Sequence, residues 1–350
     1  MPRRRLGLLL LVLGVATLAR AYLYARARIL DRLLAVVPNC DERWIGQTPA
    51  AFAVPGVDAG PFQMPDYEAV TIPSLDAAIS LSGWYIGSDT GRAARAVVIV
   101  HGHNSCKRED RILLAAGMLR RHGISVLLID LRNHGDSTVH TGRFAGGIRE
   151  YRDVLGAWDW LVTAKGFDPA HVGLMGFSLG AATALIAAGV ESRVAATWAD
   201  SGYADLGAAL RAEIERAGYP TWFASVAYLM IRLERGDDMT SLSPAAAVAK
   251  LHGRPLYIVH GTADTRLSVQ YADDLAAEYR AAGGTIEPWI VAGSRHTEAI
   301  VNHAAEYERR LVWFFDSTIG TGCQHGPAPP ERELTHRDPG VLAQHASRML

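Results

Sequence analysis

A serine framed by glycines, Gly176-Phe177-Ser178-Leu179-Gly180, follows the apolar run Val172 to Met175 and opens into a stretch of small residues, Ala181, Ala182, Ala184, Ala187 and Ala188. That order reads as strand, sharp turn and helix. Such a turn strains the serine backbone, so its neighbours need little side chain, and the hydroxyl is lifted above the sheet edge. The plain alternative is a serine that merely caps a helix after a glycine turn. A serine hydroxyl becomes a nucleophile near neutral pH only with a base in reach, and the base needs a carboxylate to orient it. Both types occur downstream, as Asp264 in His260-Gly261-Thr262-Ala263-Asp264 and as His296 in Gly293-Ser294-Arg295-His296-Thr297-Glu298. Nucleophile, acid and base thus follow one another along the chain, each just past an apolar run.

Those runs are the elements that must position the three side chains. Glu68 to Ile72 and Ala78 to Ile86 alternate apolar and polar residues, as in a half-exposed antiparallel hairpin. Ala96 to Val100, Ile124 to Ile129, Val172 to Met175, Val194 to Trp198, Leu256 to Val259 and Ile286 to Val291 are short and rich in β-branched residues, as buried strands are. Helical periodicity fills the gaps, most clearly over Gly147 to Ala164. Strands alternating with helices predict an α/β fold, a mostly parallel eight-stranded sheet covered on both faces, with reactive groups at the carboxyl ends of the strands. More than fifty residues separate Trp198 from Leu256, and residues 203–243 read as a short helical lid inserted over the sheet. Its Trp222, Phe223, Tyr228, Leu229 and Met230 suit lid packing or an acyl chain; its acids Glu213, Glu215, Glu234, Asp237 and Asp238 suit a solvated face or a substrate ammonium.

The motifs in order resemble the α/β-hydrolase superfamily. His101-Gly102 follows the third strand, Asp130-Leu131-Arg132-Asn133-His134-Gly135-Asp136-Ser137 the fourth, the Ser178 pentapeptide the fifth, His260 to Asp264 the seventh and His296 the eighth. The resemblance covers roughly residues 67–316 and is similar in particular to membrane-anchored, serine-aminopeptidase-like or esterase-type hydrolases. It implies Ser178, Asp264 and His296 as the catalytic set, with the backbone N–H groups of His103 and Leu179 as oxyanion donors. Asp200 is the rival acid, since some members carry the carboxylate one strand earlier. His260 and His303 compete for the base. His101, His134, Asp130, Arg132 and Asp136 are expected to form turns and buried hydrogen bonds. The expected activity is cleavage of a carboxylic ester or thioester through an acyl-enzyme on Ser178; the alternatives are an aminopeptidase-like amide hydrolase and a membrane-tethered binding protein without turnover.

The remaining chain bounds the possibilities. Of 350 residues, 35 are basic and 36 acidic, a balance that gives no pull toward nucleic acid. Cys40, Cys106 and Cys323 are too few and too scattered to suggest a disulfide framework, and no Cys/His cluster has metal-ligand spacing. Neither metal nor cofactor is expected; the partner is a small-molecule acyl substrate. Residues 1–37, with Arg3 to Arg5 before the uncharged run Leu6 to Ala19, read as a single N-terminal membrane anchor or as a signal segment cleaved at Ala19-Arg20-Ala21, and arginines on both sides leave the membrane side open. Residues 38–66, rich in Pro and Gly, read as a linker, and residues 317–350 as a disordered tail.

Overall fold

Val97 and Ile99 point to one side of their strand while Ala96, Val98 and Val100 point to the other, and each set enters a different apolar cluster. This period of two recurs in Leu127 and Ile129 against Val126 and Leu128, and in Val172 and Leu174 against Met175 and Phe177. A strand apolar on both faces must be covered on both, which is why the sequence packs helices above and below it. The computed structural model describes residues 2–33, 35–36, 40–88, 95–236, 238–239 and 241–320. It contains one eight-stranded sheet, with strands β1 (Glu68–Pro73), β2 (Ser80–Ile86), β3 (Ala96–Val100), β4 (Ser125–Ile129), β5 (Val172–Phe177), β6 (Thr197–Asp200), β7 (Leu256–Gly261) and β8 (Trp289–Val291). Their spatial order is β1-β2-β4-β3-β5-β6-β7-β8. β1 and β2 pair antiparallel, β2 joins β4 antiparallel, and the other pairs are parallel. The chain is an α/β-hydrolase-fold protein.

Helices Tyr151–Thr163, Leu179–Val190 and Gln270–Ala281 contribute to one apolar layer and Asp110–Arg120 and Ala304–Ile319 to the other. The Tyr151–Thr163 helix starts later than its apolar periodicity suggests. Gly146 and Gly147 have φ of 64° and 85°, and Glu150 accepts the Ala145 and Gly147 N–H groups at 2.7 and 2.9 Å, so a turn replaces the first helical turn. Strand β6 starts three residues later and ends two residues further than the run Val194 to Trp198, because the polar Asp200 at its end is paired inside the protein. Residues 203–243 contain the helices Leu206–Arg216 and Phe223–Arg235.

Residues 40–66 are more than a linker. Phe52, Val54, Phe62 and Met64 are buried in the same layer as the Asp110–Arg120 helix. Cys40 forms a disulfide with Cys106, 66 residues later, which corrects the expectation drawn from cysteine number and spacing. The N-terminal helix Pro2–Leu33 meets the insertion where the rings of Tyr22 and Trp222 stack 6.4 Å apart. Among the described residues no helix is long and apolar enough to cross a membrane. The expected tail lies, from residue 321 onward, outside the described residues.

Gly117 tests how firmly the 40–66 segment is built in. A Cβ there would overlap the carbonyl oxygen of Phe62. Alanine in a helix interior normally gains about 1 kcal/mol over glycine, yet here overpacking should cost about 1–3 kcal/mol. Gly117→Ala is therefore expected to lower the midpoint of urea unfolding; a raised midpoint would detach this segment from the core.

Candidate active site

The elbow after β5 is set by close packing of backbone. A Cβ on Gly176 would overlap Gly180, and a Cβ on Gly180 would overlap the carbonyls of Val100 and His101. Between these contacts Ser178 takes φ 55° and ψ −117°, a conformation that side-chain-bearing residues rarely hold. Its N–H donates to the Asp200 carbonyl at 2.8 Å. The hydroxyl does not cap the following helix. It meets His296 Nε2 at 2.9 Å instead, and His296 Nδ1 donates to Asp264 Oδ2 at 2.7 Å. The three residues expected from sequence are thus brought together by loops after β5, β7 and β8.

Asp264 is prepared on both oxygens. Oδ1 accepts the N–H groups of Arg266 and Leu267 at 2.8 and 2.9 Å, while Oδ2 lies 2.7 Å from His296 and 3.2 Å from His260. Burial pushes its pKa up, but the hydrogen bonds from His260 and His296 outweigh burial and hold the carboxyl well below the usual carboxylate range. His260 Nε2 also donates to the Leu267 carbonyl at 3.0 Å, which leaves that ring buttressing the acid loop. His303 lies between two helices, Ala299–Asn302 and Ala304–Ile319, away from this chain of contacts.

Asp200, the rival acid, faces other partners. Its carboxyl accepts from Ser201 Oγ at 2.8 Å and from Tyr307 OH at 2.9 Å, and Tyr307 OH accepts from Trp198 Nε1 at 2.9 Å. Burial raises its pKa. Ser201 Oγ also accepts the N–H of Thr297, at 3.1 Å, so the buried network holds the backbone next to His296. Sequence reading missed this support, since Tyr307 lies 107 residues from Asp200.

The two expected oxyanion donors flank Ser178. Leu179 is the first residue of the helix, whose positive end faces the elbow. Gly102 passes so close that a Cβ on it would lie 3.3 Å from Ser178 Cβ, which sets the His103 backbone beside the nucleophile loop. His101 fixes this loop: Nδ1 donates to the Gly102 carbonyl at 2.7 Å and Nε2 accepts the Leu131 N–H at 3.0 Å. Asp130 adds a second tie by accepting the Lys107 N–H at 2.7 Å and pairing with its buried ammonium. Arg132 forms a bidentate pair with Asp153. His101, Asp130, Arg132 and His134 are buried as expected, whereas Asp136 is half exposed and pairs with Lys107 and Arg108.

A cavity of about 240 Å³ opens on Ser178 and His296. Its wall comprises Gly102 to Ser105, the helix start Glu109 to Arg111, Phe177, Arg266, Thr297 and, from the N-terminal segment, Asp41, Arg43 and Trp44. Among the described residues, none of the 203–243 insertion lines it. Trp222 and Leu229 are exposed, and Tyr228 OH donates to the Gly207 carbonyl at 3.0 Å; the side chains of Phe223 and Met230 lie outside the described residues. Among the described residues no cluster of His, Cys, Asp and Glu could hold a metal ion.

A sequence profile of the prolyl oligopeptidase family matches residues 114–322, which include Ser178, Asp264 and His296. The chain belongs to the prolyl oligopeptidase family. It is 34% identical over 128 residues to a thiohydrolase of Aspergillus aculeatus, a stretch covering 37% of this chain and 39% of that one. An uncharacterized Mycobacterium tuberculosis protein is 28% identical over 229 residues, 65% of this chain and 72% of its own. Among solved structures, an esterase of Pyrococcus furiosus superposes with a TM-score of 0.59 at 23% identity, over 77% of this chain and 98% of the esterase. The acylaminoacyl peptidase of Pyrococcus horikoshii gives 0.56 at 16% identity, over 75% of this chain and 43% of the peptidase. The family and the fold together make the chain a hydrolase of the serine type, acting on ester or amide bonds.

The buried imidazoles generate a pH prediction. Burial lowers His101 to about 4 and His103 and His134 to about 3, against 6.5 when solvated. The unfolded chain therefore binds more protons below pH 6.5, and this part of the stability is lost as pH falls toward 4. Glu109, Glu150 and Asp200, raised by burial, act in the opposite sense. His101→Gln removes one histidine contribution and leaves the acids, so urea midpoints measured from pH 7 to 4.5 should fall less steeply than in the wild type. Identical slopes would mean that His101 is not buried neutral.

Proposed function

We propose that the protein hydrolyses carboxylic esters or thioesters through an acyl-enzyme on Ser178. The observation that carries this reading is the unbroken relay from Ser178 Oγ through His296 to Asp264, at 2.9 and 2.7 Å. His296 Nε2 takes the hydroxyl proton as Oγ attacks the carbonyl, and Asp264 stabilises the imidazolium that forms. The oxyanion is received by the N–H groups of Leu179 and His103, each worth roughly 3 kcal/mol in comparable sites. Collapse expels the alcohol or thiol, protonated by His296; a water deprotonated by the same nitrogen then releases the acid.

Alcohols and thiols are easier leaving groups than amines, and similarity to a thiohydrolase and to an esterase supports the same preference. Amide hydrolysis is the second reading, supported by the family's oligopeptidase name and the likeness to an acylaminoacyl peptidase. The disulfide favours an oxidising compartment.

A fluorophosphonate probe should label the protein at neutral pH and fail on Ser178→Ala. Against a panel of nitrophenyl esters, thioesters and an aminoacyl amide, kcat/KM should be highest for the esters or thioesters. Asp264→Asn should lower kcat by about 10⁴-fold while the fold is kept, and Asp200→Asn far less. An unlabelled wild type would overturn the hydrolase reading, and a preference for the amide would replace the ester by the peptide bond.

A further inference from the structure

The segment joining the N-terminal helix to the domain reaches the catalytic cavity and is bonded there. Asp41, Arg43 and Trp44 face the same space as Ser178 and His296. One residue before them, Cys40 is bonded to Cys106, which closes the loop Gly102-His103-Asn104-Ser105. Both cysteines are buried, with Trp44 packed on them as a cluster of its own. The guanidinium of Arg43 sits 4.8 Å above the Trp44 ring and pairs with Asp41 at 2.7 Å. Further on, Gln47 Oε1 accepts the Ala53 N–H at 2.8 Å while its Nε2 donates weakly to the Arg108 carbonyl at 3.4 Å. His103 Nε2 also meets the Ala35 carbonyl at 3.3 Å, and the Cys40–Cys106 bond is the covalent tie between this strap and the loop that carries the expected oxyanion donor.

The wall so formed is polar. Besides Trp44 and Phe177 it presents Asp41, Arg43, Asn104, Ser105, Asp110 and Arg266. Among the described residues Arg266 has no ion-pair partner. A long aliphatic chain in this cavity would strip water from charged groups without replacing their hydrogen bonds, which costs free energy. A short polar acyl group would not.

We propose that the strap from Cys40 to Trp44, stapled to the oxyanion loop by the Cys40–Cys106 disulfide, is the specificity wall of the active site, selecting short polar acyl groups until reduction opens it. The inference rests on the serine-hydrolase reading. In the reductive step a dithiol attacks one sulfur, forms a mixed disulfide and closes on itself; the S–S bond breaks, two electrons and two protons pass to Cys40 and Cys106, and the dithiol leaves as a cyclic disulfide.

The test compares kcat/KM for nitrophenyl hemisuccinate, acetate and octanoate before and after native-state treatment with dithiothreitol, with thiols counted by a chromogenic reagent. Oxidised protein should prefer the two short esters to octanoate by about tenfold or more, a normal size for pocket discrimination. Opening the bond should bring the ratios to within about threefold, with fluorophosphonate labelling of Ser178 retained. Trp44→Ala, with the disulfide intact, should move the ratios the same way without reductant and covers the case of a reduced protein that unfolds. Unchanged ratios after the thiols appear, or octanoate preferred by the oxidised protein, would overturn the inference alone. No labelling and no turnover of any ester would overturn the hydrolase reading and this inference with it.

Discussion

Everything at the site depends on how closely β5, β3 and the helix after the elbow approach one another. Gly176 and Gly180 leave no room for a side chain, and the backbone between them is held at Ser178 in a conformation few residues tolerate. Strain of this kind is kept only where the surroundings over-determine it, and here two parallel strands and a buried helix do so. The hydroxyl is thereby withheld from capping the helix and directed to the imidazole. Asn104, Ser201 and Thr297, also at positive φ, stand in the loops around it.

The three loops that complete the arrangement are each secured by a buried polar group with its own partners. His101 and Asp130 hold the loop after β3, Asp200 with Ser201 and Tyr307 holds the backbone beside His296, and His260 steadies Asp264. Each belongs to a strand end, so the parallel sheet acts as a common floor. Preorganisation of this sort lets a transient charge be met by dipoles already in place.

Much of this was legible in the sequence because the signals are local. The elbow pentapeptide, the His-Gly loop and the acid and histidine after late strands each announce themselves within a few residues. Other features depend on distant partners. Strand β6 lies further along the chain than its apolar run, ending at the polar Asp200, and nothing nearby signals the Tyr307 that makes the burial of that carboxyl tolerable. Cys40 and Cys106 gave no cue, since a bond across 66 residues depends on the path of a Pro- and Gly-rich segment that has no periodicity to read. The aromatic residues of the 203–243 insertion suggest a lid over the site, whereas the described cavity wall is made by the loops around Ser178 together with Asp41, Arg43 and Trp44 of the segment that reads as a linker.

In the proposed reaction Ser178 carries the acyl group between the two halves of catalysis. Its most direct measurement is intact and peptide mass spectrometry after acid quench of the protein mixed with a nitrophenyl ester in the first turnovers. A mass increase equal to one acyl group is expected, confined to the peptide that contains Ser178 and absent from Ser178→Ala. Turnover of the ester with no adduct on that peptide, or an adduct that survives in Ser178→Ala, would contradict it.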